Sequence, residues 1–336
     1  MDERPAEWDV ERSELLGRRI SDLGLEIEGT RVERLVERLY TELAERGVTF
    51  RPPVYLSDQW GCPDGTPLIG VPFYLADIRL ERIEAEQAGA VESDEEAMRY
   101  LRHEAGHAVN YAFRLYDRAD FSNNFGDYAR PYHERYAADP LSRAYVRHIL
   151  GWYAQKHPDE DFAETFAVWL TDVPEVWRQR YKGTNALKKL EYVERLMQEI
   201  KGAKPLVTGG RHWSDARKSR KTLARYYAER RKLFAEDFPD FYDRDLRAIF
   251  GSGTPGDEPA AKMMRRHRAA LIASLVKWTG QRKYTVDMLV NRLMKRCQTL
   301  KLRAPRDSAR LLFDLTAYLA GMVTNHLYTG KFKRSV

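Results

Sequence analysis

Cysteine is nearly absent from this 336-residue chain. It has two, Cys62 and Cys297, too few and too far apart for a disulfide framework or a thiolate metal knuckle. Long apolar runs are missing as well: the best candidate, Leu311–Leu327, is interrupted by Asp314 and diluted by Thr316, Thr324 and Asn325, which argues against a membrane span. The opening MDERPAEWDVERSELLGRR is acidic and lacks the apolar core of a secretory signal. The expectation is a cytoplasmic protein with no membrane span. Repeats and low-complexity tracts are also lacking. What is present suffices for sizeable cores, since 43% of residues are apolar and 12% aromatic, and the length suggests about two domains of roughly 150 residues.

The formal net charge of +6 conceals a division. Residues 1–200 carry 26 Lys and Arg against 38 Asp and Glu, a net of −12, whereas residues 201–336 carry 30 against 12, a net of +18. Gly202, Pro205 and Gly209–Gly210 mark a linker between the two parts, so the expected domains are 1–204 and 205–336. In the first, Ile27, Val32, Leu35, Val36, Leu39 and Leu43 recur at helical spacing. Val48–Leu56 and the segment 68–80, LIGVPFYLADIRL, are strand-like, with Pro72 favouring an edge position. Helix followed by strands predicts an α+β domain. The polar and aromatic stretch 117–140 reads as a loop-like insertion, and Leu141–Gln155 as a helix. The basic part reads as helices over about 213–238, 240–250, 259–279, 284–301 and 307–327.

Ser93 and Glu96 form a capping box that opens a helix running through MRYLRHEAGHAVNYAFRLYD. Within it, His103-Glu104-Ala105-Gly106-His107 is an HExxH motif. A spacing of four turns both imidazoles to one face, where they can share a metal. Glu104 cannot reach the same vertex but can point at the open position and take a proton from water. The bland alternative is an amphipathic helix with surface histidines. A catalytic zinc needs a third protein ligand, and Glu160 and Glu164, four apart on a helix rich in Phe162, Phe166 and Trp169, are the suppliers. One would bind the metal while the other accepts the outer N–H of a histidine.

With these residues the chain resembles zinc metallopeptidases of the gluzincin type over about residues 25–200. It is most similar to bacterial zinc-binding metallopeptidase families and more distantly to the catalytic domain of anthrax lethal factor. Those proteins carry a Glu-x-Phe-Ala-Glu pattern on the second helix, here Glu160-Asp161-Phe162-Ala163-Glu164. The resemblance implies a zincin-like domain with a small sheet and an active-site helix, Zn2+ as cofactor, and His103, His107 and Glu160 as its ligands. It implies Glu104 as the catalytic base, Glu164 as support for His103, and Tyr153, seven residues before the glutamate ligand, as an aid to the transition state. The implied activity is that of an endopeptidase hydrolysing protein substrates through a zinc-activated water. An edge strand beside the active-site helix, here 68–80, would pair with extended substrate. His133, His148 and His157 are candidates for a histidine on the far side of the pocket, without a motif to select one. Phe121, Phe125, Tyr128 and Tyr132 in the insertion either line the cleft or anchor the loop.

The basic part contains three clusters, at Arg217–Arg225, Lys262–Arg268 and Lys295–Arg306. Nucleic acid, an acidic partner protein and the chain's own acidic domain are the readings such charge permits. The alternative to an enzyme is a vestigial peptidase-fold protein that binds a partner or nucleic acid through this all-helical basic domain.

Overall fold

The computed structural model describes residues 7–88, 91–133, 136, 139, 142–149, 152–234, 242–251, 253, 256–281, 283–305 and 308–329. It divides into two units, residues 1–227 and 228–336.

The first unit begins with α1 (Glu7–Gly17) and α2 (Arg31–Glu45), the latter capped by the Thr30 hydroxyl. The apolar stripe of α2 is buried at Val32, Leu35, Val36, Leu39 and Leu43, as its spacing requires. Strands β1 (Val54–Ser57) and β2 (Ile69–Pro72) pair in parallel with Val54 opposite Ile69. The strand ends at Pro72, earlier than the composition of 68–80 suggests. Phe73–Ala76 forms a helical turn, and α3 (Ile78–Ala88) starts where the Asp77 carboxylate accepts the Arg79 N–H at 2.8 Å.

The outer edge of β2 does not await a substrate strand. Gly70 exchanges both of its backbone hydrogen bonds with Gly61, at 2.8 and 3.2 Å, and Pro72 has no N–H to offer. On the other side Ser57 of β1 bridges to Asp215. The expectation of substrate pairing along 68–80 is therefore overturned: the loop after β1 folds back and uses that edge.

Helix α4 (Asp94–Phe113) carries the capping box read from Ser93 and Glu96. The insertion is partly helical, as α5 (Ala119–Phe125). Phe121 and Phe125 are buried against Phe162, with ring centroids 5.6 and 5.4 Å away, so these two aromatics anchor the insertion. The helix expected over Leu141–Gln155 is absent from its described residues apart from a short turn at Tyr153–Gln155. The N–H groups of His148 and Ile149 donate instead to Glu164 Oε2, at 3.2 and 2.8 Å, which removes them from any helical ladder. Helices α6 (Pro158–Thr171), α7 (Pro174–Arg180) and α8 (Asn185–Glu199) complete the core. Pro158 at the first position of α6 suits its start.

Residues 205–227 belong with this unit, so the chain divides after Tyr227, beyond the composition change at 204. Leu206 and Val207 donate to the Ala112 carbonyl, and Leu223 N–H to that of Arg18 at 3.0 Å. Asp215 accepts the Arg217 N–H at 3.0 Å and caps only a short turn, Ala216–Lys218. The Ser219 and Lys221 carbonyls then accept from Ser21 and Ile20 at 3.0 and 2.9 Å, so that in place of the helix expected from 213 α9 begins only at Leu223 (Leu223–Phe234).

The second unit contains α10 (Asp243–Ile249), α11 (Ala260–Thr279), α12 (Lys283–Thr299) and α13 (Ala309–Thr329) around a core that includes Phe250, Met264, Leu289, Leu293, Leu315 and Leu319. A two-residue antiparallel pair, β3 (Glu258–Pro259) with β4 (Arg303–Ala304), interrupts the expected all-helical character. Arg296 of α12 clasps Asp243 of α10 with two bonds, at 2.6 and 2.8 Å. Among the described residues no helix is long and apolar enough to cross a membrane.

Candidate metal centre

Two helices make the site. On α4 the residues His103, Gly106, His107 and Asn110 fall on one stripe, and on α6 so do Glu160, Ala163 and Glu164. The stripes face each other at their small residues. A Cβ added to Gly106 would stand 2.7 Å from Ala163 Cα and 3.0 Å from its carbonyl oxygen. Glycine is therefore required by the approach of the two backbones, and that approach brings the ionisable side chains on either side together.

His103 Nε2, His107 Nε2 and Glu160 Oε2 form a nearly equilateral triangle with sides of 3.0, 3.1 and 3.1 Å. Ligands about 2.0–2.1 Å from a tetrahedral zinc ion stand about 3.3 Å apart, so the triangle has the size of one face of such a site. The donor set, two imidazoles and a carboxylate, is also one that zinc accepts. The three residues are buried and offer their ligand atoms within 4.8 Å of one another. They fit Zn2+.

The outer nitrogen of each imidazole faces a carboxylate. His103 Nδ1 donates to Glu164 Oε1 at 2.8 Å, so that Nε2 is the nitrogen that faces the triangle. His107 Nδ1 lies 3.0 Å from Asp159 Oδ2, and Asp159 is itself held by Asn110 Nδ2 at 2.9 Å and by the Tyr111 hydroxyl.

The sequence DEDFAE thus places four carboxylates in a helix where Asp159 to Glu164 are all buried, and each acid has a separate reason to be tolerated. Asp159 faces His107, Glu160 faces both histidines, and Glu164 faces His103 and two backbone N–H groups. Asp161 turns the other way to a buried ion pair with Lys189 at 2.5 Å. Three of them also lie in the first turn of α6, where the helix dipole favours negative charge.

Proton affinities reflect these contacts. Burial pulls the His103 imidazolium down, but the hydrogen-bonded Glu160 and Glu164 outweigh it and lift it to about 9. His107 is likewise raised, against burial, by Asp159 and Glu160. Burial pushes Glu160, Glu164 and Asp159 up, yet the facing imidazoles hold each below the usual carboxylate range. Glu104 behaves oppositely: it is buried, and desolvation raises it although the charges of His103 and His107 pull it part of the way back.

Tyr153 stands beside the cluster, its ring centroid 5.6 Å from that of His103, and burial raises its hydroxyl well above the ordinary value. The three other candidate histidines are elsewhere engaged or exposed. His148 Nε2 donates to the Arg99 carbonyl at 2.9 Å, and His157 Nε2 to that of Arg130 at 2.9 Å. His157 also caps α6, its Nδ1 accepting the Asp159 N–H, and His133 is exposed.

One residue at the site escapes a reading of the sequence, and a second is placed by it only loosely. Asp159 is detectable in principle, because it immediately precedes Glu160 on a helix facing α4. Tyr132, expected either to line the cleft or to anchor the insertion, is 46% exposed, and its hydroxyl donates to Glu160 Oε1 and lies 3.5 Å from that of Tyr153, a link to the ligand that spacing does not encode.

Residues 83–204, a little over a third of the chain, match the family described as "Putative zinc-binding metallo-peptidase". No curated protein and no solved structure matches the chain.

Proposed function

Residues 83–204 carry a zinc metallopeptidase site of the gluzincin type, and on that premise we propose that the protein is a cytoplasmic endopeptidase acting on protein chains. The observation that carries the reading is the triangle of His103, His107 and Glu160 with sides near 3 Å. Zinc held there would polarise the scissile carbonyl and acidify the attacking water. Glu104 takes the proton of that water and passes it to the leaving amine, a task suited to a carboxylate raised by burial beside the cluster. Tyr153 keeps its proton across the physiological range and donates it as a hydrogen bond to the developing oxyanion. Glu164, bonded to His103 Nδ1, and Asp159, 3.0 Å from His107 Nδ1, would hold the outer nitrogens so that the inner ones are offered to the metal.

The purified full-length protein is expected to hold one zinc per chain and to cleave an unfolded protein substrate. Chelation should abolish cleavage and added zinc restore it. Failure to bind zinc, both as purified and after reconstitution, would sink the reading.

A vestigial, binding-only protein is less well supported, since three buried carboxylates, Asp159, Glu160 and Glu164, gathered around two imidazoles are costly unless a central charge is there to use them. For residues 228–336, charge recommends a polyanionic partner, nucleic acid or an acidic protein. A groove between α11 and α12 is lined by Arg265, Arg268, Asn291 and Lys295. DNA binding by the full chain that weakens steeply with salt, and is lost in an Arg265→Glu/Lys295→Glu variant, is the outcome expected for nucleic acid; salt-independent binding contradicts it.

A further inference from the structure

Glu160 has two carboxylate oxygens in different surroundings. Oε2 lies 3.0 Å from His103 Nε2 and 3.1 Å from His107 Nε2. Oε1 accepts the hydroxyl of Tyr132, a residue from the segment between α5 and α6. Residues 127–132 are built in rather than draped. Arg130 Nη2 donates to the Lys156 carbonyl at 2.9 Å, and the Arg130 carbonyl accepts from His157 Nε2 at 2.9 Å. Asp127 Oδ1 accepts the Ala129 N–H at 2.9 Å, and Tyr128 stacks on Tyr116 with centroids 4.7 Å apart. The Tyr132 ring itself lies 5.2 Å from that of His157 and has Lys156 Nζ 4.4 Å from its centroid. A half-exposed phenol is therefore fixed against an acid that is only 4% exposed.

We propose that Tyr132 is a positioning residue that confines Glu160 to one-oxygen ligation, so that the insertion secures the open coordination position on which the peptidase reading depends. This inference rests on that reading. A carboxylate with both oxygens free can bind a metal through one or two of them, and the second oxygen would occupy the position a catalytic zinc keeps for water and substrate. A phenolic donor on Oε1 opposes the turn that brings this oxygen inward, because turning breaks a hydrogen bond to a charged acceptor. The same bond separates the roles of two neighbouring tyrosines. The Tyr132 proton is committed to Glu160, so of the two hydroxyls, 3.5 Å apart, Tyr153 is the donor, and its proton turns from the Tyr132 oxygen to reach substrate.

The test compares Tyr132→Phe with Tyr153→Phe in the full-length protein, both with folding checked by circular dichroism and melting. Zinc affinity is measured by competition with a chromophoric chelator, and coordination by the visible spectrum of the cobalt-substituted protein. Tyr132→Phe is expected to weaken zinc binding by about tenfold or more. It should also weaken the cobalt absorption, as expected when coordination rises from four to five. Tyr153→Phe should lower turnover while leaving zinc affinity and the cobalt spectrum as in the wild type. A Tyr132→Phe protein with wild-type zinc affinity and cobalt spectrum overturns the inference whatever its activity, since tyrosine would then be acting elsewhere than on Glu160. A wild-type protein that binds no metal is a different result: it overturns the peptidase reading, and the inference with it.

Discussion

Replacing Glu104 with Gln is expected to reduce turnover by about a thousandfold while zinc content and thermal stability stay at wild-type levels. The reason lies in how α4 divides its residues. His103 and His107 turn toward Glu160 and each other; the outer nitrogen of His103 is taken by Glu164, and that of His107 faces Asp159. Glu104 contributes no atom to that triangle, so its loss as a proton acceptor leaves the metal ligands untouched. Glutamine keeps the volume and removes the basicity. Changing His103 to Ala or Glu160 to Gln should do the opposite and lose zinc along with activity. Zinc content by elemental analysis and cleavage of an unfolded substrate separate the two patterns. An E104Q protein that retains a tenth or more of wild-type turnover would show that the proton goes elsewhere.

The residues most legible in the sequence are those whose spacing already encodes geometry. HExxH and Glu160/Glu164 are pairs four apart on helices, and a helix with a capping box or an N-terminal proline places such pairs on one face wherever it packs. The structure adds the second half of the arrangement, the pairing of His103 with Glu164 and of His107 with Asp159. Asp159 escapes notice because one acid among three in a first turn reads as dipole compensation. Tyr132 is marked in the sequence only as an aromatic of the insertion that lines the cleft or anchors the loop; its reach to Glu160 depends on the conformation of that insertion, which no periodicity specifies. Similar reasoning explains the differences in the fold. Leu141–Gln155 has a helical apolar pattern, but a buried acid, Glu164, draws two of its amides out of any ladder. The segment 68–80 has strand composition, yet Pro72 and the Asp77 cap turn it into helix after four strand residues. Residues 205–227 share the basic composition of residues 228–336 but hydrogen-bond to Ala112 and Arg18, and composition does not record long-range pairing.

Gly106 carries a second large expected effect, opposite in sign to what local propensity implies. Alanine favours a helix over glycine by about 1 kcal/mol, so Gly106→Ala in the middle of α4 should stabilise an isolated helix. In the folded protein the added methyl would lie 2.7 Å from Ala163 Cα, 3.0 Å from its carbonyl oxygen and 3.2 Å from Phe166 Cβ. Two of these atoms are backbone of α6 and cannot rotate away, so the helices must separate. Overpacking of this kind costs about 1–3 kcal/mol, which equals or exceeds the propensity gain. The consequence for the metal is larger. Ligand distances in a zinc site tolerate only about 0.2 Å, and moving α6 off α4 carries Glu160 away from both histidines. Gly106→Ala is therefore expected to lower the melting temperature modestly and to weaken zinc binding by at least tenfold, with activity falling in parallel, as measured by chelator competition and calorimetry. Ala163→Gly should fail to rescue it, because the clash is with the Cα and carbonyl of residue 163 rather than with its methyl group. A Gly106→Ala protein that melts higher and holds zinc as tightly as the wild type would mean that the two helices have room to spare at their crossing.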